Sequence, residues 1–267
     1  MNIILLFSDD ANQRALAHRI ARIAPVEAIV LCKPGQPGRG GISAQLGRLA
    51  RGLVGLPLRK AWFAMLRRYE REYPDFPIEP RLAVSDINDP AVLAVIDSIS
   101  PDLAIVSGTN LLKQPLIDAI SRTGRIMNLH TGISPYIKGG PNCTNWCLAT
   151  GRFDLIGNTV MWIDTGIDSG NLVATEQTPL ERTESLTELH VKVMDHAHSL
   201  LLRCVERFAA GSPLPDVPQA EIGSGRLFLS RHWNAAAAAR AVLNFYLYYR
   251  RAPRRADLRL VALTPPS

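Results

Sequence analysis

The chain has no apolar segment long enough to cross a membrane and no recognisable export leader. A membrane-spanning helix needs about 20 apolar residues, whereas the longest apolar runs, such as residues 3–7 and 235–239, are much shorter. Residues 1–7 also lack a basic leader and a cleavage site, which favours a first strand over a signal peptide. We therefore expect a protein that spans no membrane and works in the cytoplasm.

Cysteine is scarce as well, with four residues scattered along the chain: Cys32, Cys143, Cys147 and Cys204. In a chain without an export signal we expect these thiols to stay reduced. Cys143 and Cys147 have the i, i+4 spacing that suits two zinc ligands on a helix, but no second pair of ligands accompanies them. The sequence therefore predicts no metal site.

Glycine is missing from residues 8–12, the turn that follows the first predicted strand. A dinucleotide site needs closely spaced glycines at this turn, so that the backbone can approach the pyrophosphate. This absence disfavours a nicotinamide-dependent enzyme. A G-x-S-x-G elbow is also missing, which disfavours a serine hydrolase.

Positive charge is in excess, with 30 Lys and Arg against 24 Asp and Glu and a pI near 9.4. Such a balance favours anionic ligands, for example nucleotides or phosphates, without choosing among them. Residues 42–73 resemble two amphipathic helices lying over the sheet edge, with an anion- or partner-binding surface as the alternative. This segment carries a cluster of basic residues: Arg48, Arg51, Arg59, Lys60, Arg67, Arg68 and Arg71.

Buried strands alternate with helices through the first part of the chain. Residues 2–7 and 26–31 are continuous apolar runs, typical of strands buried on both faces, and helical spacing of Leu16, Ile20 and Ile23 separates them. This β-α-β opening predicts a right-handed crossover and a parallel sheet. Further strands at 81–84 and 103–106 and helices at 90–99 and 114–120 complete the pattern. The fold class is therefore α/β, a doubly wound Rossmann-like parallel sheet.

The chain after residue 180 is expected to form an appendage, 181–267, to a catalytic domain of residues 1–180. We predict a long helix over 185–209, a proline-rich linker, a small hairpin over 221–229 and a last helix over 234–249. The tyrosines of the last helix indicate core packing, a homodimer contact or a place where a nucleotide base stacks. The basic tail after residue 250 is expected to be partly disordered.

Residues 125–170 bring three kinds of polar group to strand ends. One strand-like segment ends in Asn128 and His130, and a second, at 156–163, leads into a turn with Asp164 and Asp168. In open α/β sheets, ligands bind where strands end. An amide and an imidazole suit the negative charge that grows on a carbonyl oxygen, and a carboxylate suits the proton of an attacking amine. The stretch therefore indicates acyl transfer to an amine.

The motifs of this stretch are N-x-H, Ser-Pro, a glycine pair, a Trp-bearing helix, G-N-T-V and D-T-G-I-D-S-G. In this order they resemble the folate-dependent formyltransferases, over approximately residues 80–180. The resemblance implies that Asn128, His130 and Asp168 are the catalytic residues and that 10-formyltetrahydrofolate is the formyl donor. Asn128 and His130 would hold the oxyanion, and Asp168, orienting a water, would take up the proton of the amine.

The same resemblance implies which residues bind the ligands. The pterin of the folate would lie along the turn after the fourth strand, formed by Gly108, Thr109, Asn110, Leu111 and Leu112. Asp164 is expected beside the cofactor, or as a partner that stabilises its turn. Lys138, Gly139 and Gly140 are expected beside the acceptor, since paired glycines let a substrate lie close to the chain. A plain loop is the alternative, especially for Lys138.

The expected acceptor is a nucleotide-linked amino sugar used in glycan synthesis. The residues after 180 do not resemble the tRNA-gripping barrel of the methionyl-tRNA formyltransferases, so nucleic acid is not an expected partner. Two alternatives stay open: an enzyme like the methionyl-tRNA formyltransferases, and a non-catalytic folate-binding relative. His190, His196 and His198 do not share one helix face, and we interpret them as ordinary surface or core residues.

Overall fold

The computed structural model describes residues 1–33, 52–140, 142–164, 166–253 and 257–263. The strands are β1 (Ile3–Ser8), β2 (Val26–Cys32), β3 (Leu82–Val84), β4 (Leu103–Ser107), β5 (Arg125–His130), β6 (Ile137–Gly139), β7 (Gly157–Trp162), β8 (Leu172–Gln177) and β9 (Arg226–Phe228). The helices are α1 (Ala11–Ala21), α2 (Leu56–Glu72), α3 (Pro90–Ile99), α4 (Gln114–Ser121), α5 (Cys143–Thr150), α6 (Leu186–Ala209), α7 (Gln219–Ile222) and α8 (Ala235–Tyr248). Helix α2 is the second helix predicted within 42–73, and the part of that segment before residue 52 lies outside the described ranges.

Seven strands form one sheet in the order β3-β2-β1-β4-β5-β7-β8. The first five are parallel, and β7 and β8 join them as an antiparallel pair. Alternate residues of β1 face opposite sides: Leu5 packs in a core cluster with α1 and α6, and Leu6 packs in another with α3 and α4. Because helices cover both faces, the predicted doubly wound α/β fold is confirmed.

Side-chain caps fix the starts of several helices. Asp89 accepts a hydrogen bond from the Ala91 N–H at the start of α3, where Pro90 occupies the first turn. Ser185 and Glu188 form a capping box at the start of α6. Each cap satisfies backbone N–H groups that the helix itself leaves without a partner, so the helix boundaries agree closely with those the sequence predicts.

The long helix α6 belongs to the main core. Its residues Leu200, Leu201 and Val205 pack in one cluster with β1 and α1. A second cluster joins α5 to α8 through Trp146 and Phe245, among others. Residues from both sides of position 180 therefore share buried surfaces, and the division into 1–180 and 181–267 stays a prediction.

The hairpin predicted over residues 221–229 is wrong. Helix α7 ends at Ile222, and β9 then pairs in parallel with β6, with Gly139 opposite Phe228. Gly139 has a φ of +89°, and a Cβ at this position would collide with the Phe228 carbonyl. The C-terminal region is thus bound, through a glycine, to the loop that follows His130.

The tyrosines of the last helix and the C-terminal tail differ in how far they follow the predictions. Tyr249 is buried and its hydroxyl donates to Glu184 Oε2 at 2.8 Å, which confirms core packing for this tyrosine. Tyr246 and Tyr248 are exposed. In the tail, Val261 is buried and exchanges two hydrogen bonds of 2.8 Å with Thr175, so residues 257–263 lie against the sheet. None of the helices in the described ranges is long and apolar enough to span a bilayer.

Candidate functional site

A cavity of about 130 Å³ lies between the loop that follows β4, the strand β5 and the loop that joins β7 to β8. Its wall combines residues from all three sources, which the fold brings to one place although they are far apart in the chain. Asn128, Asp164 and Asp168 line it together with the whole predicted turn Gly108, Thr109, Asn110, Leu111 and Leu112. The predicted cofactor residues and two of the three predicted catalytic residues therefore meet at one cavity.

The turn after β4 is held by a neighbouring loop. Asn110 donates through Nδ2 to Asp86 Oδ1 at 2.7 Å and accepts the Ile87 N–H at 3.0 Å. Asn88 donates to the Leu111 carbonyl at 2.9 Å. Hydrogen bonds from Asn88 and Asn110 lower the pKa of Asp86 to about 2, so its carboxylate stays charged in this network. The side chain of Asn110 is therefore bound by the neighbouring loop. The turn presents its backbone to the cavity.

Gly108 and the two leucines have distinct positions in this turn. Gly108 has a φ of +76°, and a Cβ there would collide with the Ser8 hydroxyl of the turn after β1. Leu112 is buried, whereas Leu111 is 55% exposed. One leucine is thus core and the other stands at the cavity rim.

Asp168 is held in an unusual backbone conformation by several contacts. Its φ of +48° lies in the left-handed region, which few residues other than glycine adopt. Its Oδ2 accepts the Gly139 N–H at 2.7 Å and lies 3.3 Å from His130 Nδ1. Gln219 of α7 donates through Nε2 to the carbonyls of Asp168 and Gly170 at 2.8 Å each. These contacts fix the carboxylate at the cavity wall.

His130 lies behind Asp168 rather than in the cavity lining. Its Nδ1 faces Asp168, and its Nε2 lies 3.4 Å from Cys143 Sγ, which also lies 3.3 Å from the Gly139 carbonyl. Burial raises the pKa of the Cys143 thiol well above its ordinary value, and Cys147 and Asp168 add to the shift, so Cys143 stays a neutral thiol. Asp168, His130, Cys143 and Gly139 therefore form a closed ring of contacts.

The Asn128 side chain, by contrast, forms no hydrogen bond with the described residues, although it lines the cavity. A polar group held by a strand and left without a protein partner is available to a ligand. Asp164 has the opposite situation, because its Oδ1 accepts the Gly166 N–H at 2.8 Å and the Ser169 hydroxyl at 2.6 Å. Asp164 thus stabilises its turn while also lining the cavity.

The predicted acceptor residues Lys138, Gly139 and Gly140 do not line this cavity. Gly139 contributes its N–H to Asp168, and Lys138 lies on β6 opposite Leu227. Gly140 lines a second, adjoining cavity of about 810 Å³, which also contacts the turn after β4. The second cavity is completed by Lys113, Gln114, Ile167, Leu229 and Ser230.

Sequence reasoning missed Cys143 and Gln219. Cys143 was considered only as a zinc ligand, and the described residues contain no cluster of three metal-ligating side chains. Gln219 lies 51 residues from Asp168 and follows a proline-rich segment with no motif. Their roles depend on contacts between distant parts of the chain, and no local signal in the sequence identifies them.

Comparison with known proteins gives a consistent family. The Formyl transferase family model matches residues 59–205. A methionyl-tRNA formyltransferase of Syntrophus aciditrophicus is 32% identical over 140 residues, which are 52% of this chain and 44% of that protein. The curated relatives are thus matched over less than half of their length.

Two solved structures share the fold at low sequence identity. A sugar N-formyltransferase of a Shewanella species has a TM-score of 0.55 at 13% identity, covering 90% of this chain and 88% of that one. HypX of Aquifex aeolicus, solved in complex with tetrahydrofolic acid, has a TM-score of 0.51 at 15% identity, covering 90% of this chain and 34% of that one. Since the family model matches more than half of the residues, and the site carries the expected polar groups, the chain belongs to the Formyl transferase family.

Proposed function

We propose that this protein transfers a formyl group from 10-formyltetrahydrofolate to the primary amine of a nucleotide-linked amino sugar, in the cytoplasm. One observation carries the proposal: the unpartnered amide of Asn128 and the fixed carboxylate of Asp168 share a cavity with the turn after β4. In a member of the Formyl transferase family, these two groups suit acyl transfer to an amine, because the amide donates to the oxyanion and the carboxylate accepts the proton of the amine.

The residues around the cavity fit a bound pterin. The backbone N–H groups of residues 109–112 donate no hydrogen bond to the described residues, while the turn itself is anchored through Asp86 and Asn88. Backbone groups of a fixed turn are suited to the donors and acceptors along a pterin edge. When bound, the donor supplies a formyl group on nitrogen, and apolar wall residues such as Val106 and Met161 exclude water around it.

Each polar side chain has a defined task in the proposed mechanism. Asn128 donates to the formyl oxygen as negative charge grows there. Asp168, orienting a water, takes up the proton of the attacking amine and returns it to the folate nitrogen as the bond between that nitrogen and the formyl carbon breaks. His130 holds the Asp168 carboxylate through Nδ1. Donation by His130 to the same oxygen, which the family resemblance implies, requires its Nε2 to leave Cys143 Sγ and turn toward the cavity, which His130 does not line in this structure.

The second cavity is the proposed place for the acceptor. It adjoins the first, is wider, and is lined by Gly140 and Ile167 together with Leu229 and Ser230 of the C-terminal region. A named relative acts on sugars and supports this acceptor class. The second candidate acceptor is methionyl-tRNA, which the name of the 32% identical relative favours.

The decisive experiment measures formyl transfer with a panel of amines. The purified protein is incubated with 10-formyltetrahydrofolate and with 3-amino or 4-amino sugar nucleotides or methionyl-tRNA, and the mass gain of each amine is recorded. We expect gain on a sugar nucleotide. Gain on methionyl-tRNA alone identifies the second candidate, and donor binding by thermal shift without any transfer identifies a non-catalytic relative.

Variants test the assigned roles. Asp168→Asn and Asn128→Ala are each expected to lower kcat by about 100-fold or more, because each removes a group that acts on developing charge. Both should still show the thermal shift with the folate. Asp97→Asn, which changes an exposed carboxylate on α3 outside both cavities, is the matched control. Near-normal turnover in the first two variants would refute the assignment.

A further inference from the structure

Two segments of this protein carry several basic residues and no acidic one, and one of them lies in the C-terminal region. Residues 222–256 contain seven arginines and no Asp or Glu, out of 30 basic and 24 acidic residues in the whole chain. The other segment, residues 28–69, contains eight Lys and Arg and no Asp or Glu, and part of it lies outside the described residues. A segment of one charge sign indicates a local anionic partner.

Helix α8 is the central element of this segment, and one of its faces is covered by no described residue. Leu243, Tyr246 and Leu247 are 55%, 64% and 54% exposed. Arg240 lies on α8 one turn before this apolar group, and Arg250 lies just past the end of the helix, in the short 3-10 turn formed by Tyr249–Arg251. These five residues form what we call the α8 face. It combines an apolar centre with a positive charge at either end.

The charges of this face form no ion pair within the part of the chain that the structure describes. Arg240 and Arg250 are exposed and form no ion pair with a carboxylate of the described residues, and the same holds for Arg231 and Arg251 nearby in sequence. The basic helix α2 differs, because it carries Glu70 and Glu72 among its arginines. The α8 face therefore lacks both neutralising charges and apolar cover.

A second copy of this chain does not suit the α8 face. Arg240 and Arg250 flank the apolar group, one before it and one after it in the chain. An antiparallel pairing places Arg240 opposite Arg250 of the other copy, and a parallel pairing places each arginine opposite itself. Either arrangement brings like charges together with no acid to separate them, which opposes association.

Nucleic acid suits the arginines but not the centre of the face. RNA is bound through phosphates and through bases stacked on flat aromatic or guanidinium groups. Tyr246 offers one such aromatic surface, but Leu243 and Leu247, which form the rest of the apolar centre, offer neither kind of contact. A lipid bilayer with anionic headgroups matches both parts, because aliphatic and tyrosine side chains enter the interface while arginines meet the phosphates.

We infer that the α8 face docks this protein on an anionic membrane surface, as a peripheral contact with Leu243, Tyr246 and Leu247 inserted between headgroups. The contact needs no spanning segment, and a polybasic amphipathic helix is a known form of such attachment. This inference goes beyond the proposed transfer reaction and does not depend on it.

The test is sedimentation of the full chain with vesicles of phosphatidylcholine alone or mixed with phosphatidylglycerol. We expect binding only to the mixed vesicles and release at high salt, since screening weakens contacts between exposed charges. Arg240→Gln and Arg250→Gln should each weaken binding about fivefold. Leu243→Ser combined with Leu247→Ser should weaken it by about tenfold or more. Because these substitutions change exposed side chains, the variants should keep the wild-type fold. Their melting temperatures check this.

The matched control lies on α2, which has an exposed Phe63 and an exposed Arg67. Phe63→Ser with Arg67→Gln should leave vesicle binding unchanged. Absence of binding, or binding that ignores lipid charge, would overturn the inference. A solution dimer that the leucine variant dissociates identifies a second copy as the occupant, and tRNA binding that only the arginine variants weaken identifies RNA; either result also overturns it.

Discussion

The backbone of Asp168 adopts a strained conformation in the site. A left-handed conformation costs a residue other than glycine about 1–2 kcal/mol, and Asp168 adopts it with a φ of +48°. Gln219 and the Gly139 N–H offset this cost by binding its carbonyl and its carboxylate. The site therefore depends on Gln219 from the C-terminal region, which helps to hold Asp168 at the cavity wall.

Cys143 is expected to position His130. Cys143→Ala removes the contact at Nε2 and frees the ring to turn away from Asp168, so we expect kcat to fall by about tenfold with little change in KM. Cys143→Ser keeps a small group that both donates and accepts, and it should retain most of the activity. Steady-state kinetics of both variants with the same amine measure the difference.

The pH dependence of kcat is a second measurement on the same pair of variants. If Cys143 positions the ring, the pH profile of the alanine variant should differ in shape from that of the serine variant, whereas a merely structural role would leave the two shapes the same. If alanine and serine reduce kcat equally, or if alanine has no effect, Cys143 does not position the ring. As a buried neutral thiol it is not a nucleophile in either case.

At the residue scale, sequence alone predicted the groups whose positions follow from local pattern. Asn128 and Asp168 stand in motifs beside strands, and the structure places both at the cavity. The involvement of His130 with Cys143 was not predicted, because it depends on how the loop after β5 folds back onto α5. Gln219 was not predicted for the same reason, because its partners Asp168 and Gly170 lie about 50 residues away in the chain.

At the element scale, strands with continuous apolar runs were predicted almost to the residue. Strands β1, β2 and β4 are buried on both faces, and such strands appear in the sequence as continuous apolar runs. The short strands β6 and β9 were missed because three residues carry no periodicity and their pairing joins positions about 90 apart. The glycines at 223 and 225 resembled a hairpin turn but instead lie against Tyr136.

Helix α6 should make stability depend on pH. Burial lowers the pKa of His190 to about 4 and that of His198 to about 3, from an ordinary value of 6.5. As pH falls below 6.5, the unfolded chain binds protons that the folded protein cannot, so the free energy of unfolding decreases. Between pH 6.5 and about pH 5 each histidine should remove roughly 2 kcal/mol, at 1.4 kcal/mol per pKa unit.

Urea unfolding of the wild type and of His190→Leu at several pH values measures this effect. The variant should have a flatter dependence by about 2 kcal/mol over that interval, whatever its absolute stability. Val193→Ala, which removes buried apolar atoms of the same helix and no titratable group, should lower the free energy of unfolding but keep the wild-type slope. Working above about pH 5 limits the contribution of Glu184, whose pKa lies near 2 and whose stabilising effect is lost mainly below 4.5. Identical slopes for the wild type and His190→Leu would show that His190 takes up protons in the folded state.

At the scale of the whole molecule, the core does not stop at residue 180. Three residues of α6, Leu200, Leu201 and Val205, cover the face of the sheet that contains Leu5 and Phe7. Burial of each such side chain contributes about 1.5–3 kcal/mol, and a domain has only about 5–15 kcal/mol of net stability. Loss of α6 alone therefore removes stabilising free energy comparable with the net stability of the whole domain.

We accordingly expect a fragment of residues 1–180 not to fold by itself, although that boundary is our proposal for where the catalytic part ends. The fragment should bind a dye for exposed apolar surface and show no cooperative thermal transition, because the sheet face beneath α6 would meet water. The full chain should unfold in one transition, and expression of both halves together should restore part of it. A monomeric fragment with its own sharp transition would instead establish 1–180 as an independent domain, in which case the contacts of α6 with β1 contribute far less than their burial indicates.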